Sequence, residues 1–348
     1  MRSTIAAVLT ESNQPLEVAE ILLPERLCFG QVLVEIHFSG VCASQLGEIA
    51  AVKGPDRFLP HLLGHEASAT VLATGEGVRT VSPGDAVVLH WRKGQGIDAE
   101  PARYGLEGRT INSGSVTTFS QHAVVAENRM TAIPSDFDLR TAPLLGCALT
   151  TGFGVVNNNA GLKIGQSGVI VGVGGVGLSA VLAARLVSAY PIVAVDLESA
   201  KLEAALSMGA THAVLAGQDA DVDEQVRAAV GPDGADAVID TTGNVASAAT
   251  SYSLTNPTGI TVLVGVPKSG LRTEIETLPL HFGKRLTGSW GGESVPSQDI
   301  PRYVRLTQAG RLDLGAFPTE EYELQDVNRA LDDLRGGAVG RRLIRMAP

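Results

Sequence analysis

Two groups of residues in this 348-residue chain could carry chemistry. The first is the run Gly172-Val173-Gly174-Gly175-Val176-Gly177, which fits G-x-G-x-x-G. It closes an apolar strand pattern and opens an apolar helix pattern. Asp196 lies about 20 residues further on, at the end of the next strand pattern. In that setting Gly172 makes a tight turn, Gly174 admits a pyrophosphate, and Gly177 lets helix and strand pack closely. The helix start, at Gly175 and Val176, offers free N–H groups and positive potential to phosphates. The Asp196 carboxylate can accept from both ribose hydroxyls and repels a 2′-phosphate, and Leu197 and Glu198 bring no positive charge. The pattern therefore points to NAD rather than NADP. The competing reading is a sheet that packs nothing at its edge, with Asp196 serving as a helix N-cap.

The second group is Cys42, His65, Glu66 and Cys147, widely separated and without a C-x-x-C or H-E-x-x-H spacing. Two thiolates, an imidazole and a carboxylate make a plausible zinc set. Three protein ligands with an exchangeable fourth position would be catalytic, and four fixed ligands structural. Buried free cysteines beside a satisfied histidine fit the composition equally well.

The elements that must position these groups differ along the chain. The first 150 residues read mostly as β-structure, with strands expected at Gln31–Phe38, Ala67–Thr74 and Asp85–His90. The polar segment Arg92–Gly114 lacks periodicity and reads as a long surface loop. From about Gly165, strands alternate with helices. Strands are expected at 168–173, 191–196, 213–215, 235–240 and 259–265, and helices at 176–188, 200–208, 221–230 and 245–253. Repeated β-α-β units imply a doubly wound parallel sheet of Rossmann type. Two more helices are expected at 297–308 and 324–335.

Composition excludes several classes. The chain is 44% hydrophobic and 18% charged, so it is no disordered polyelectrolyte. Three cysteines are too few for a disulfide-stapled secreted domain. The net charge of −10 with scattered Lys and Arg speaks against a nucleic-acid or membrane partner. The apolar stretch 168–195 has the length of a membrane span, but Arg185, Pro191 and crowded glycines favour strand, turn, helix and strand. The apolar run Ile5–Leu9 is too short for a signal-peptide core, which gives a cytoplasmic reading.

In chain order, Gly40-Val-Cys42-Ala-Ser44, Gly64-His65-Glu66, Gly146-Cys147-Ala-Leu-Thr150-Thr151-Gly152-Phe-Gly154 and GVGGVG resemble zinc-dependent alcohol dehydrogenases of the medium-chain dehydrogenase/reductase superfamily. The likeness continues through Val262-Leu-Val-Gly-Val-Pro267 and Gly288-Ser-Trp-Gly-Gly292, so it covers nearly the whole chain. The resemblance implies a mostly-β GroES-like catalytic domain split between residues 1–148 and 290–348, around a Rossmann cofactor domain at 149–289. It implies one catalytic zinc per chain on Cys42, His65 and Cys147, with Glu66 as a nearby carboxylate able to reach the metal. It places a substrate-bonding hydroxyl at Ser44, nicotinamide contacts at Thr151 and Val176, a further cofactor contact at Val266, and a lysine near the adenosine ribose at Lys201. Arg341 would reach the pyrophosphate, and His90 and Trp91 would line the substrate pocket. For Lys201 and Arg341 a solvated surface, and for Trp91 a core position, are the structural alternatives. The implied reaction is reversible hydride transfer between a small-molecule alcohol and NAD, giving an aldehyde or ketone. The implied assembly is a homodimer or homotetramer.

The sequence departs from that family in three places. No cysteine lies between residues 43 and 146, so the four-cysteine structural zinc of many members is not expected. Gly47 stands where a proton-relay histidine is common, leaving His61 and Glu48 as candidates. Ala43 stands where a pyrophosphate-binding Arg or His is common. The donors of His90, Trp91, Arg92, Lys93 and Gln95 suggest a polar substrate such as a polyol, sugar or cyclitol derivative. Two readings compete with the main one: a zinc-free enoyl or quinone reductase of the same superfamily, and a dinucleotide-binding protein without turnover.

Overall fold

Residues 31–41 combine β-branched and apolar side chains, and they form the longest strand, Gln31–Val41, in the computed structural model, which describes residues 2–217 and 221–346. The chain divides into two compact units. One holds the residues through Cys147 and those from Val295 onward; the other is Ala148–Ser294.

In the first unit, Gln31–Val41 is the hub of a seven-stranded sheet. The spatial order is Met130–Ala132, Ala86–Leu89, Ala67–Thr74, Gln31–Val41, Arg341–Arg345 and Thr319–Glu323, and His122–Ala126 also pairs with the hub. Two registers decide where the chemistry falls. Ser39 lies opposite Ala67, and Val41 lies opposite Arg342. The end of the hub strand, the start of Ala67–Thr74 and the start of Arg341–Arg345 therefore meet. The apolar faces bury Val34, Ile36, Leu89, Phe119, Val125 and Ile344 in one core.

A second sheet in this unit runs His61–Leu62, Ser3–Leu9, Glu17–Leu22, Tyr104–Leu106 and Arg109–Ile111. The last two strands correct the reading of Arg92–Gly114 as a loop. They form a hairpin whose two-residue turn, Glu107-Gly108, has positive φ at both positions. That is the turn whose twist matches antiparallel strands. Strands of three residues are too short to show a period-2 pattern. Glu127 anchors the segment before this hairpin: its carboxylate accepts from the N–H of Arg79, Thr80 and Ile97.

In the second unit, six parallel strands lie in the order His212–Leu215, Ile192–Asp196, Gly168–Val171, Ala235–Asp240, Thr255–Leu263 and Arg285–Gly288. The chain moves outward in one direction from Gly168–Val171, then returns to the other side of that strand. This reversal is the topological switch point at which doubly wound sheets bind ligands. Thr255–Leu263 begins four residues before the expected strand, because Thr255 pairs with Ala235 ahead of a register shift. Helix Gly175–Leu186 crosses the sheet between its first two strands, and helix Ser199–Met208 ends at Gly209 with φ +120. The apolar stretch 168–195 is thus strand, helix and strand. No helix among the described residues is long and apolar enough to cross a membrane.

Candidate metal centre and dinucleotide loop

The strand ends assemble the metal residues. Gly40 donates its N–H to the Glu66 carbonyl at 3.0 Å, which fixes Glu66 beside the end of the hub strand. Cys42 follows that strand and starts helix Ala43–Ile49, whereas Cys147 follows the 3-10 turn Ala142–Gly146. The ligand atoms of Cys42, His65 and Cys147 all lie within 4.8 Å of one another. Gly40 is needed for this approach, because a Cβ there would overlap the Glu66 carboxylate.

Hydrogen bonding engages one ring nitrogen of His65 and leaves the other to the cluster. The His65 Nδ1 atom lies 2.6 Å from Gln45 Nε2, while His65 Nε2 is buried with no hydrogen-bond partner. A buried unsatisfied ring nitrogen aimed at two thiols is the signature of a ligand awaiting an ion. The donor set, two thiols and an imidazole, fits zinc.

The two thiols are hydrogen-bonded to each other. The hydrogen bond from Cys147 holds Cys42 well below the usual thiol range against its own burial, with Arg341 and His65 assisting. The same hydrogen bond, with burial, pushes Cys147 well above that range. Burial alone would lower His65, but the Cys42 thiolate outweighs it and raises the imidazole. Zinc binding must displace the Cys147 proton, so apparent zinc affinity should rise with pH. Chelator competition at stepped pH measures this, and a flat profile would show that both thiols are already ionised.

Glu66 and Arg341 behave differently from the sequence expectation. Arg341 is paired with a carboxylate: Nε donates to Glu66 Oε1 at 2.6 Å, and Nη2 lies 2.5 Å from the same oxygen. Its side chain is 4% exposed and that of Glu66 is fully buried, so the two charges are sealed together. Glu66 lies outside the three-residue metal cluster, since Oε1 is held by the guanidinium. Its other oxygen, Oε2, is buried without a hydrogen-bond partner. Burial outweighs Arg341 and raises the Glu66 carboxyl. Arg341 stays cationic because Glu66 and both cysteines outweigh its own desolvation.

His90 also needs correction as a substrate residue. It is fully buried; Nδ1 donates to the Arg92 carbonyl at 2.8 Å and Nε2 lies 2.9 Å from Thr131 Oγ1. Burial pushes its pKa down to about 4, so it is a neutral strut with no atom left for a ligand. Trp91 is half-buried, with the Arg92 guanidinium 5.7 Å over its ring. Lys93 is committed to Asp98 at 2.6 Å. His61 bonds Asp56 Oδ2 through Nε2 at 2.8 Å, and Glu48 is exposed on helix Ala43–Ile49. Ser44 lies exposed in the first turn of that helix. Gln45, in the same turn, was not among the sequence candidates. Its signal is a glutamine three residues after the helix-capping Cys42, the spacing of a capping box.

In the second unit the glycine loop lies at the end of Gly168–Val171. Gly172 takes φ +81, and a Cβ on Gly177 would overlap the Gly172 carbonyl. An added Cβ at Gly174 would meet nothing, so the loop face there is open. Asp196 accepts from Val173 N at 2.8 Å and from Glu198 N at 3.1 Å, and Lys201 Nζ is 3.8 Å from it. It therefore braces the glycine loop and is not the N-cap of helix Ser199–Met208, a position taken by Glu198. Thr151 is buried in helix Ala148–Gly154, whereas Val266 is exposed after Thr255–Leu263.

Residues 29–135 match the family described as alcohol dehydrogenase GroES-like domain, and residues 175–309 the zinc-binding dehydrogenase family. S-(hydroxymethyl)glutathione dehydrogenase of Synechocystis is 31% identical, covering 97% of this chain and 98% of that protein. Putative alcohol dehydrogenase D of Mycobacterium tuberculosis is 34% identical, covering 96% of this chain and 97% of that one. The crystal structure of benzyl alcohol dehydrogenase from Acinetobacter calcoaceticus superposes with a TM-score of 0.90 at 26% identity, over all of both chains.

Proposed function

On the premise that the chain belongs to the zinc-dependent alcohol dehydrogenases of the medium-chain dehydrogenase/reductase superfamily, we propose that it transfers a hydride between an alcohol and NAD. The observation that carries this is the Cys42, His65 and Cys147 cluster with its unsatisfied His65 Nε2. Bound there, zinc supplies Lewis acidity that lowers the pKa of an alcohol. The protein's own part is to hold the three donors, to seal Glu66 and Arg341 beneath them, and to offer the Ser44 hydroxyl for the alcohol proton. One zinc per chain belongs to the proposal, supported by the lack of cysteine between residues 43 and 146. The intact donor set favours this reading over a zinc-free reductase or an idle dinucleotide binder.

NAD as the cofactor is supported by Asp196, whose carboxylate sits at the strand end where a ribose would lie. A homodimer or homotetramer is supported by the exposed Leu278 and Phe282, which precede the sheet-edge strand Arg285–Gly288. For the alcohol, His90 no longer counts among the donors that suggested a polyol, sugar or cyclitol, so the polar class rests on Trp91, Arg92, Lys93 and Gln95.

The test is initial rates with NAD and NADP across polyols, benzyl alcohol and a hydroxymethyl thiol adduct. Wild type should prefer NAD. Asp196→Ser removes an acceptor for two ribose hydroxyls and should lower kcat/KM for NAD about 10- to 100-fold, equivalent to ~1.5–3 kcal/mol, while narrowing the preference over NADP. An NADP preference in wild type, or no turnover of any alcohol by the zinc-loaded chain, would refute the reading.

A further inference from the structure

Gln45 is fully buried, and each end of its amide meets a different group. Its Oε1 accepts from the Cys42 backbone N–H at 2.7 Å. Its Nε2 lies 2.6 Å from His65 Nδ1. A backbone N–H can only donate, so Cys42 fixes which end of the amide is oxygen. The NH2 end must then face His65, and Nδ1 must accept. A neutral imidazole with an accepting Nδ1 carries its proton on Nε2, the atom turned toward the thiols.

That arrangement opposes a metal. Ligation through Nε2 needs a lone pair there, so the ring proton must reside on Nδ1 instead. Nδ1–H would then face the Gln45 NH2, donor against donor. Turning the amide by half a rotation gives Nδ1–H an oxygen but sets the NH2 against the Cys42 N–H. A glutamine satisfies one of these two donors in either orientation and never both. A carboxylate of the same length would accept from both, one oxygen each.

We propose that Gln45 is a positioning residue that sets the metal affinity of this centre: loading is coupled to a turn of its amide and to the loss of one hydrogen bond. The ion is thereby held less tightly than the three ligands alone would hold it, and it exchanges readily. The inference rests on zinc being the ion of Cys42, His65 and Cys147.

The test uses the full chain with 15N-labelled histidine and glutamine, without metal and with zinc, together with zinc titration against a chromophoric chelator. In the metal-free wild type, the two-bond proton–nitrogen correlations of His65 should show the proton on Nε2, and zinc should shift the Gln45 side-chain amide signals. Metal-free Gln45→Glu should carry the proton on Nδ1 and bind zinc about tenfold or more tightly. Tighter binding without the change of tautomer would report added charge alone and overturn the proposal. So would a wild-type ring already protonated on Nδ1, a measurement that stands even if the variant fails to fold. No zinc binding by either protein would overturn the zinc reading itself. Zinc bound equally by both, with the same tautomer, would overturn only the role of Gln45.

Discussion

Cys147→Ala is expected to leave the purified chain without stoichiometric zinc and to lower kcat/KM for alcohol oxidation about a thousandfold, equivalent to ~4 kcal/mol of transition-state stabilisation. The thiol is one of three donors that converge on the site among the described residues, and the two that remain, Cys42 and His65, cannot complete a stable zinc set. The substitution removes one buried sulfur at the end of the turn Ala142–Gly146, so the fold should survive with a stability loss of about 1 kcal/mol. Elemental analysis, circular dichroism and rates measured together separate metal loss from unfolding. Full zinc content with turnover near wild type would refute the ligand role.

Arg341→Met should destabilise the first unit by about 3–5 kcal/mol, because it strands the Glu66 carboxylate in a place water does not reach. The gross attraction of such a pair is offset by the desolvation of both charges. Removing one partner is therefore far worse than removing both. Glu66→Leu with Arg341→Met should recover most of the loss, so that the double variant unfolds at a higher urea concentration than either single one. The comparison should be made with a chelator present, so that zinc binding does not enter the balance. Additive losses across the cycle would show that the two charges are stabilised by something other than each other.

Where the determinants are local, the sequence shows them plainly. The strand at Ala67–Thr74, the helix from Val245 to Ser253 and the turn-glycine pattern before Gly175–Leu186 are each set by residues within a few positions of one another. The metal cluster is different. Cys42, His65 and Cys147 meet through the pairing of Gln31–Val41 with Ala67–Thr74 and through the turn before Cys147, and no spacing rule reports that; only the family resemblance did. His90 looked like a site residue because the family resemblance puts the substrate pocket at the end of Asp85–His90. Its partner Thr131 comes from the neighbouring strand Met130–Ala132, which pairs with Ala86–Leu89 only after folding. The pairing of Arg341 was equally hidden, its partner Glu66 lying 275 residues away. The hairpin at Tyr104–Leu106 and Arg109–Ile111 escaped notice because strands that short borrow their order from the sheet they join.

The pairing of Gln31–Val41 with Arg341–Arg345 also has a consequence for biosynthesis. The second unit is continuous in sequence, so its parallel sheet can close as soon as its own residues have left the ribosome. The first unit cannot. At about 5–20 residues per second, Glu66 waits roughly 15–60 seconds for the arginine that neutralises it. During that interval Cys42 and His65 have already emerged, while the sheet edge that Arg341–Arg345 will cover lies open. A ribosome-bound chain is thus exposed to thiol oxidation and to stray metal for most of its synthesis, and the last strand to appear is the one that ends the exposure.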